Sequence, residues 1–217
     1  MVDRLAVDLA GEAVELLAER ALHWPARARL VIADLHLGKA DAFRRAGIGL
    51  PSGGTAHDLA RLDALLACTQ ARELWILGDV LHGAVRGGAW ERTWCAWRER
   101  HASLDVAALV GNHDRALFEA SARFGVRLLG ARCEDGPFAF RHEPAAHPAR
   151  HVLAGHVHPV LSLPLARRRW PAFWLRPGMT VLPAFSAFTG GWPVELAQDE
   201  RAVLCGDGAV AQIAGRA

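Results

Sequence analysis

A chain of 217 residues, 52% hydrophobic and 22% charged, has the balance of a folded globular domain, and it is too short for two domains of ordinary size. Its formal charge of +2, from 25 Lys+Arg against 23 Asp+Glu, excludes a strongly basic nucleic-acid-coating protein and an acidic tail. Within those totals, Lys39 is the sole lysine, tyrosine is absent, and 11 histidines call for an explanation.

Two short alternating stretches, Leu5 to Leu9 and Ala13 to Leu17, flank Ala10-Gly11-Glu12 and predict an opening hairpin. Leu30-Val31-Ile32-Ala33 reads as a buried strand that ends at Asp34. Gly47 to Gly54 reads as a loop able to act as a flexible lid. From Thr55 the apolar spacing turns helical, with Leu59, Leu62, Leu65 and Leu66 on one face. The strand Leu74-Trp75-Ile76-Leu77 closes on Gly78-Asp79, and a helix is expected from Trp90 to His101, with Trp90, Trp94 and Trp97 as its buried stripe. Val106 to Val110 then runs as a strand into Gly111-Asn112-His113-Asp114. A helix from Ala116 to Phe124 follows, then strands at Val126 to Leu129, Phe138 to Arg141 and Val152 to Ala154. Beyond Pro159 short strands and Pro/Gly turns continue to the end. Strands alternating with helices early and strands alone late predict two sheets with helices outside, in one domain over residues 1–217. Cys68, Cys95, Cys133 and Cys205 form no C-x-x-C pair and read as small core residues in a reducing compartment. The first residues are broken by Asp8, Glu12, Glu15 and Glu19, and no apolar run is long enough to span a bilayer; a cytoplasmic protein is expected.

The chemistry sits at the strand ends. Three apolar strands run directly into metal-binding residue types: Asp34-Leu35-His36, Gly78-Asp79 and Gly111-Asn112-His113-Asp114. A fourth runs into Gly155-His156-Val157-His158. In α/β sheets the carboxyl ends of strands form the edge where ligands bind, so residues scattered in sequence converge there. The x of D-x-H and H-x-H lets both flanking side chains point one way. Oxygen and imidazole donors without thiolate suit manganese, iron or zinc, and disfavour a structural zinc site. The glycines before Asp79, Asn112 and His156 allow close approach of backbone and metal.

The ordered set Asp34/His36, Asp79, Asn112/His113, His142 and His156/His158 resembles the calcineurin-like metallophosphoesterases. That resemblance implies a four-layer αββα sandwich, two mixed sheets flanked by helices. It implies two divalent cations, one held by Asp34, His36, Asp79 and His158 and the other by Asp79, Asn112, His142 and His156, with Asp79 bridging. It further implies that His113 assists the leaving oxygen of a phosphate ester, and Asp114 is expected to orient His113. The segments Asp34 to Lys39, Gly78 to Gly83, Gly111 to Arg115, Arg141 to Pro144 and Gly155 to Pro159 are similar to a bacterial subgroup encoded beside a DNA ligase and a helicase, known as PdeM. The subgroup implies a manganese-dependent endonuclease acting on single-stranded DNA in repair, in functional association with that ligase and helicase. His82 stands where protein phosphatases carry an aspartate, which argues against that activity.

Other residues are read more plainly. His142 is chosen over His147 and His151 because it follows the apolar run Phe138-Ala139-Phe140. His23, His57 and His101 are expected to be surface or helix histidines. Lys39, His82 and Arg115 are candidate substrate contacts, and Arg167-Arg168-Arg169 with Trp170 is weighed as a nucleic-acid path with a stacking platform against an ordinary solvated face. Two rival functions remain: hydrolysis of a small nucleotide or pyrophosphate substrate, and a non-catalytic scaffold for repair partners.

Overall fold

The computed structural model describes residues 2–49, 53–163, 168–206 and 208–215. The strands among them form two mixed sheets. The first takes its strands in chain order: β1 (Arg4–Leu9), β2 (Glu12–Leu17), β3 (Ala21–Trp24), β4 (Arg29–Ile32), β5 (Glu73–Ile76), β6 (Asp105–Ala108) and β7 (Arg127–Leu128). Its opening strands are antiparallel, with Val7 opposite Val14 in the hairpin, whereas β4 to β7 run parallel. The parallel part needs crossovers. These are supplied by helices α1 (Lys39–Arg45), α2 (Gly54–Thr69), α3 (Ala89–Arg100) and α4 (Leu117–Ala120).

The second sheet contains β8 (Arg132–Asp135), β9 (Phe138–Arg141), β10 (His151–Ala154), β11 (Pro159–Ser162), β12 (Arg169–Arg176), β13 (Met179–Val181), β14 (Trp192–Pro193), β15 (Arg201–Gly206) and β16 (Ala209–Ala214). Its order is β14-β11-β12-β13-β10-β9-β8, with β15 paired to β12 and β16 to β15. Val31, Trp75 and Ala107 of the first sheet share a core with Phe138, Phe140, Leu153 and Phe173 of the second. The opposite face of the first sheet, Leu30, Ile32, Leu74 and Ile76, packs with Leu59, Leu62, Trp94 and Trp97 of α2 and α3. The tryptophan stripe is therefore buried, at 5%, 0% and 0% exposure for Trp90, Trp94 and Trp97. The outer face of the second sheet holds smaller apolar clusters, one built on Ala139, Val152, Ala154 and Val181.

Several expectations are corrected. The helix expected from Ala116 to Phe124 shrinks to α4, preceded by a 3-10 turn at Asp114–Ala116. Trp94 Nε1 donates to the Phe124 carbonyl at 3.0 Å, which holds that end against α3. α1 and β3 were not expected from periodicity, and β12 spans eight residues where only short strands were expected. His23 is buried on β3, its Nδ1 2.8 Å from Glu15, and is not a surface residue. Cys205 is buried, but Cys68, Cys95 and Cys133 are only partly so. Trp170 packs with Leu161, Leu163 and Leu204 against Gly206, so a free stacking platform is not what it offers. Residues 50–52 of the expected lid and Arg167 of the arginine run lie outside the described residues.

At the end of the sheets where β4 begins, Arg29 joins the two layers. Its guanidinium, 5% exposed, binds Glu73 at 2.7 Å and Asp135 at 2.9 Å and lies 3.6 Å from the Trp75 ring centroid. Removing one member of a buried ion pair costs about 3–5 kcal/mol, and the partly exposed carboxylates here favour the lower end, about 3 kcal/mol. Arg29→Ala is expected to lower unfolding free energy by that amount in urea. Arg27→Ala, whose guanidinium is 49% exposed, should cost less than about 1 kcal/mol.

Candidate metal centre

The loops after β4, β5, β6, β9 and β10 meet at one edge of the sandwich. They bring together Asp34, His36, Asp79, His142 and His158. Asp34, His36 and His158 present donor atoms within 4.8 Å of one another, as do Asp34, Asp79 and His142. Asp34 is fully buried, and His36, Asp79 and His142 are nearly so, whereas Asn112, His113 and His156 are exposed at the mouth.

The backbone is bent to make this convergence. Asp34, His36, Asp79, His156 and His158 all have positive φ, between 48° and 69°. This is a conformation that non-glycine residues adopt at a cost and that concentrates at functional sites. Two glycines admit the side chains themselves. A Cβ on Gly78 (φ +80°) would lie 2.4 Å from His142 Nδ1, and one on Gly111 would lie 2.3 Å from Asp79 Oδ1. The expected closeness of backbone to metal is thus, at these positions, closeness of backbone to the acid and imidazole groups.

Second contacts aim the donors. Asp34 Oδ2 accepts the His156 amide at 3.0 Å, while Oδ1 lies 3.2 Å from His158 Nε2. His142 Nδ1 lies 2.9 Å from the Leu77 carbonyl and so carries the proton, which leaves the Nε2 lone pair facing Asp79 Oδ1 at 3.6 Å and His156 Nδ1 at 3.1 Å. Asp79 Oδ1 accepts the His113 amide at 3.0 Å. Asn112 Nδ2 donates to Glu143 at 3.1 Å, so the side-chain oxygen of Asn112 is the end left for a cation.

Buried atoms without hydrogen-bond partners supply the test of fit. They include Asp34 Oδ1, both ring nitrogens of His36, and His158 Nε2. Buried polar atoms are nearly always paired, so a cluster of unpaired carboxylate and imidazole atoms at one point fits cations bound among them. Burial, reinforced by Lys39 and the neighbouring histidines, pushes the His36 imidazole down to about 2. It is therefore neutral near pH 7, the form that binds a metal.

The other expected site residues have distinct settings. Asp114 is fully buried, and burial raises its carboxyl above the usual range. Its oxygens accept the amides of Leu81 and Gly111, both at 2.9 Å. It ties the G-N-H-D loop, which carries His113, to the loop after Asp79. Lys39 Nζ donates to Thr189 Oγ1 at 3.0 Å, and burial lowers its ammonium below the ordinary lysine value against the pull of Asp34 and Asp79. The His82 ring lies 5.5 Å from that of His36 and 5.3 Å from that of His113, and burial lowers its imidazole too. Arg115 is exposed next to the loop. His151 sits at the far end of β10, bonded to Thr180, and His147 pairs with Glu134 in a loop; neither joins the cluster.

Sequence reasoning missed one segment at the site. The Phe185 and Ser186 amides donate to the Ala33 and Asp34 carbonyls at 2.8 and 3.3 Å, and the Trp192 amide donates to the His158 carbonyl at 3.0 Å. Arg61 holds the Phe185 carbonyl at 2.7 Å and Asp58 the Ala187 amide at 3.1 Å. The helical spacing of α2 shows only its leucine face, and Asp58 and Arg61 lie off that face.

The Pseudomonas putida nuclease MPE is similar in structure, with a TM-score of 0.86 and 39% identity over 97% of this chain and 100% of that one. Yfce, a phosphoesterase from E. coli, gives a TM-score of 0.49 and 19% identity over 87% and 99% of the two chains. No curated protein sequence matches the chain. A family model described as calcineurin-like phosphoesterase matches residues 29–149, more than half of the sequence, and the chain belongs to that family of metal-dependent phosphoesterases.

Proposed function

We propose that this chain is a cytoplasmic, single-domain phosphodiesterase that uses two divalent cations, manganese in the cell, to cut single-stranded DNA as an endonuclease. We assign it to the PdeM subgroup and to a repair context shared with a DNA ligase and a helicase. The observation that carries the reading is the cluster of unpaired buried donors at the strand ends. The 39% identity to a protein described as a nuclease supports the substrate class. No helix among the described residues is long and apolar enough to cross a membrane.

In this reading Asp34, His36, Asp79 and His158 hold one cation, and Asp79, Asn112, His142 and His156 the other. When bound, such a pair neutralises phosphate charge and lowers the pKa of water from about 15.7 toward 7. The chain's own residues do the rest. The Leu77 carbonyl and the His156 amide fix the orientation of His142 and Asp34. Asp79 fixes the backbone of His113, whose exposed imidazole is placed to give a proton to the departing oxygen. Asp114 holds two loops in register, and Lys39, His82 and Arg115 border the position a substrate phosphate would take.

The test incubates manganese-loaded protein with closed circular single-stranded DNA, duplex DNA and bis(p-nitrophenyl) phosphate. Cutting of the circle, with weaker cutting of duplex, is expected. Ester hydrolysis without DNA cleavage would move the assignment to a small nucleotide or pyrophosphate substrate. Metal binding with no hydrolysis at all would favour the scaffold.

A further inference from the structure

Arg132 on β8 and Arg141 on β9 are directly opposite in an antiparallel ladder. Opposed residues share a face with their Cβ atoms about 4.5–5.5 Å apart, and like charges so placed destabilise the pair. Several arginines in this protein are matched with acids, as Arg123 is with Glu91, Arg150 with Glu134 and Arg176 with Glu200. Among the described residues neither Arg132 nor Arg141 has an acidic partner, and Arg141 Nε is buried without a hydrogen bond. Both line a cavity of about 520 Å³ that also reaches Asn112, His142 and Glu143. Its one acid, Glu143, is engaged by the Asn112 amide. Two guanidinium groups against one engaged carboxylate leave the cavity suited to an anion, and it opens beside the candidate metal centre.

We propose that Arg132 and Arg141 form a phosphate subsite. It takes a backbone phosphate of a nucleic-acid strand next to the phosphate being cleaved. This rests on the nucleic-acid reading of the centre. A strand with one phosphate at the Asp34–Asp79–His142 cluster carries its neighbours outward along the surface, and the cavity begins at His142. Guanidinium groups bind phosphate oxygens in a planar, bidentate fashion, which relieves the opposed charges and satisfies Arg141 Nε. A small phosphodiester has no second phosphate, so the subsite discriminates strand from ester.

The experiment compares kcat/KM for a single-stranded oligonucleotide and for bis(p-nitrophenyl) phosphate. Arg132→Ala is the variant, because Arg132 is exposed and is not itself among the ligand candidates. Strand cleavage is expected to fall about 10- to 100-fold, as loss of a charge-assisted contact implies, and ester hydrolysis less than about threefold. The salt dependence of strand cleavage should become shallower by about 0.7 in log–log slope per lost phosphate contact. Arg132→Lys should recover part of the loss, and Arg100→Ala on α3 should lose little. Equal effects on strand and ester, or none on either, would overturn the subsite while leaving the nuclease reading intact. A wild-type protein that hydrolyses the ester and no nucleic acid would overturn the reading on which the subsite rests.

Discussion

Asp79→Asn is expected to reduce bound manganese from about two ions per chain to fewer than one and to lower hydrolysis by at least about 1000-fold. The substitution keeps the size of the side chain and an oxygen able to accept the His113 amide, now 3.0 Å from Asp79 Oδ1. It removes the negative charge. In the proposed arrangement that charge is shared between both cations, and a cation at a phosphoryl centre supplies several kcal/mol of transition-state stabilisation, which sets the scale of the loss. Metal counting by elemental analysis and turnover on a small phosphodiester are the measurements. Retention of both metals with full turnover would remove Asp79 from the bridging position. Asp135→Asn is the contrasting variant, because its carboxylate binds Arg27 and Arg29 at the other end of the sheets; it is expected to change stability and leave metal content alone.

His113→Asn is expected to separate metal binding from catalysis. His113 is exposed, and only its backbone amide is held by Asp79; its ring approaches His36 and His82 at centroid distances of 5.8 and 5.3 Å. Loss of a positioned proton donor costs about 100- to 10,000-fold, so the rate should fall by that factor while metal content stays near two ions per chain. The loss should be smaller for an ester whose leaving group has a low pKa, since such an oxygen departs without a proton. A metal content that falls in parallel with the rate would make His113 a ligand. A loss equal for good and poor leaving groups would deny it the proton.

The parts of the site that periodicity reveals are those that end strands. Leu30 to Ala33, Leu74 to Leu77 and Phe138 to Phe140 are apolar runs too short for helices, and each is followed within two residues by Asp34, Asp79 or His142; the structure brings their ends to one edge. His142 could be separated from His151 on that logic alone, because β9 and β10 run parallel and place His151 opposite Phe138 rather than beside His142. What local pattern hides is whatever a distant partner imposes. The positive φ of Asp34 and Asp79 is held by long-range contacts, such as Asp34 N to the Gly78 carbonyl at 3.2 Å, and nothing in the neighbouring residues predicts it. The segment from Ala184 to Trp192 has no periodicity, since Arg61, Asp58 and Lys39 hold it from elsewhere in the chain. The carboxylate of Asp114 binds the amides of Leu81 and Gly111, and the contact with Leu81 joins loops far apart in sequence, which local pattern does not show. β12 runs through Pro171, a residue that argues against a long strand, because Pro171 lies toward the end paired with β11 while β13 and β15 pair farther along.

Anomalous diffraction from crystals of the manganese-loaded protein tests the central claim most directly. Two manganese peaks about 3.5–4 Å apart are expected, one among Asp34, His36 and His158, the other among Asn112, His142 and His156, with Asp79 between them. A single peak, or a pair lying away from Asp34 and Asp79, would contradict the two-metal centre.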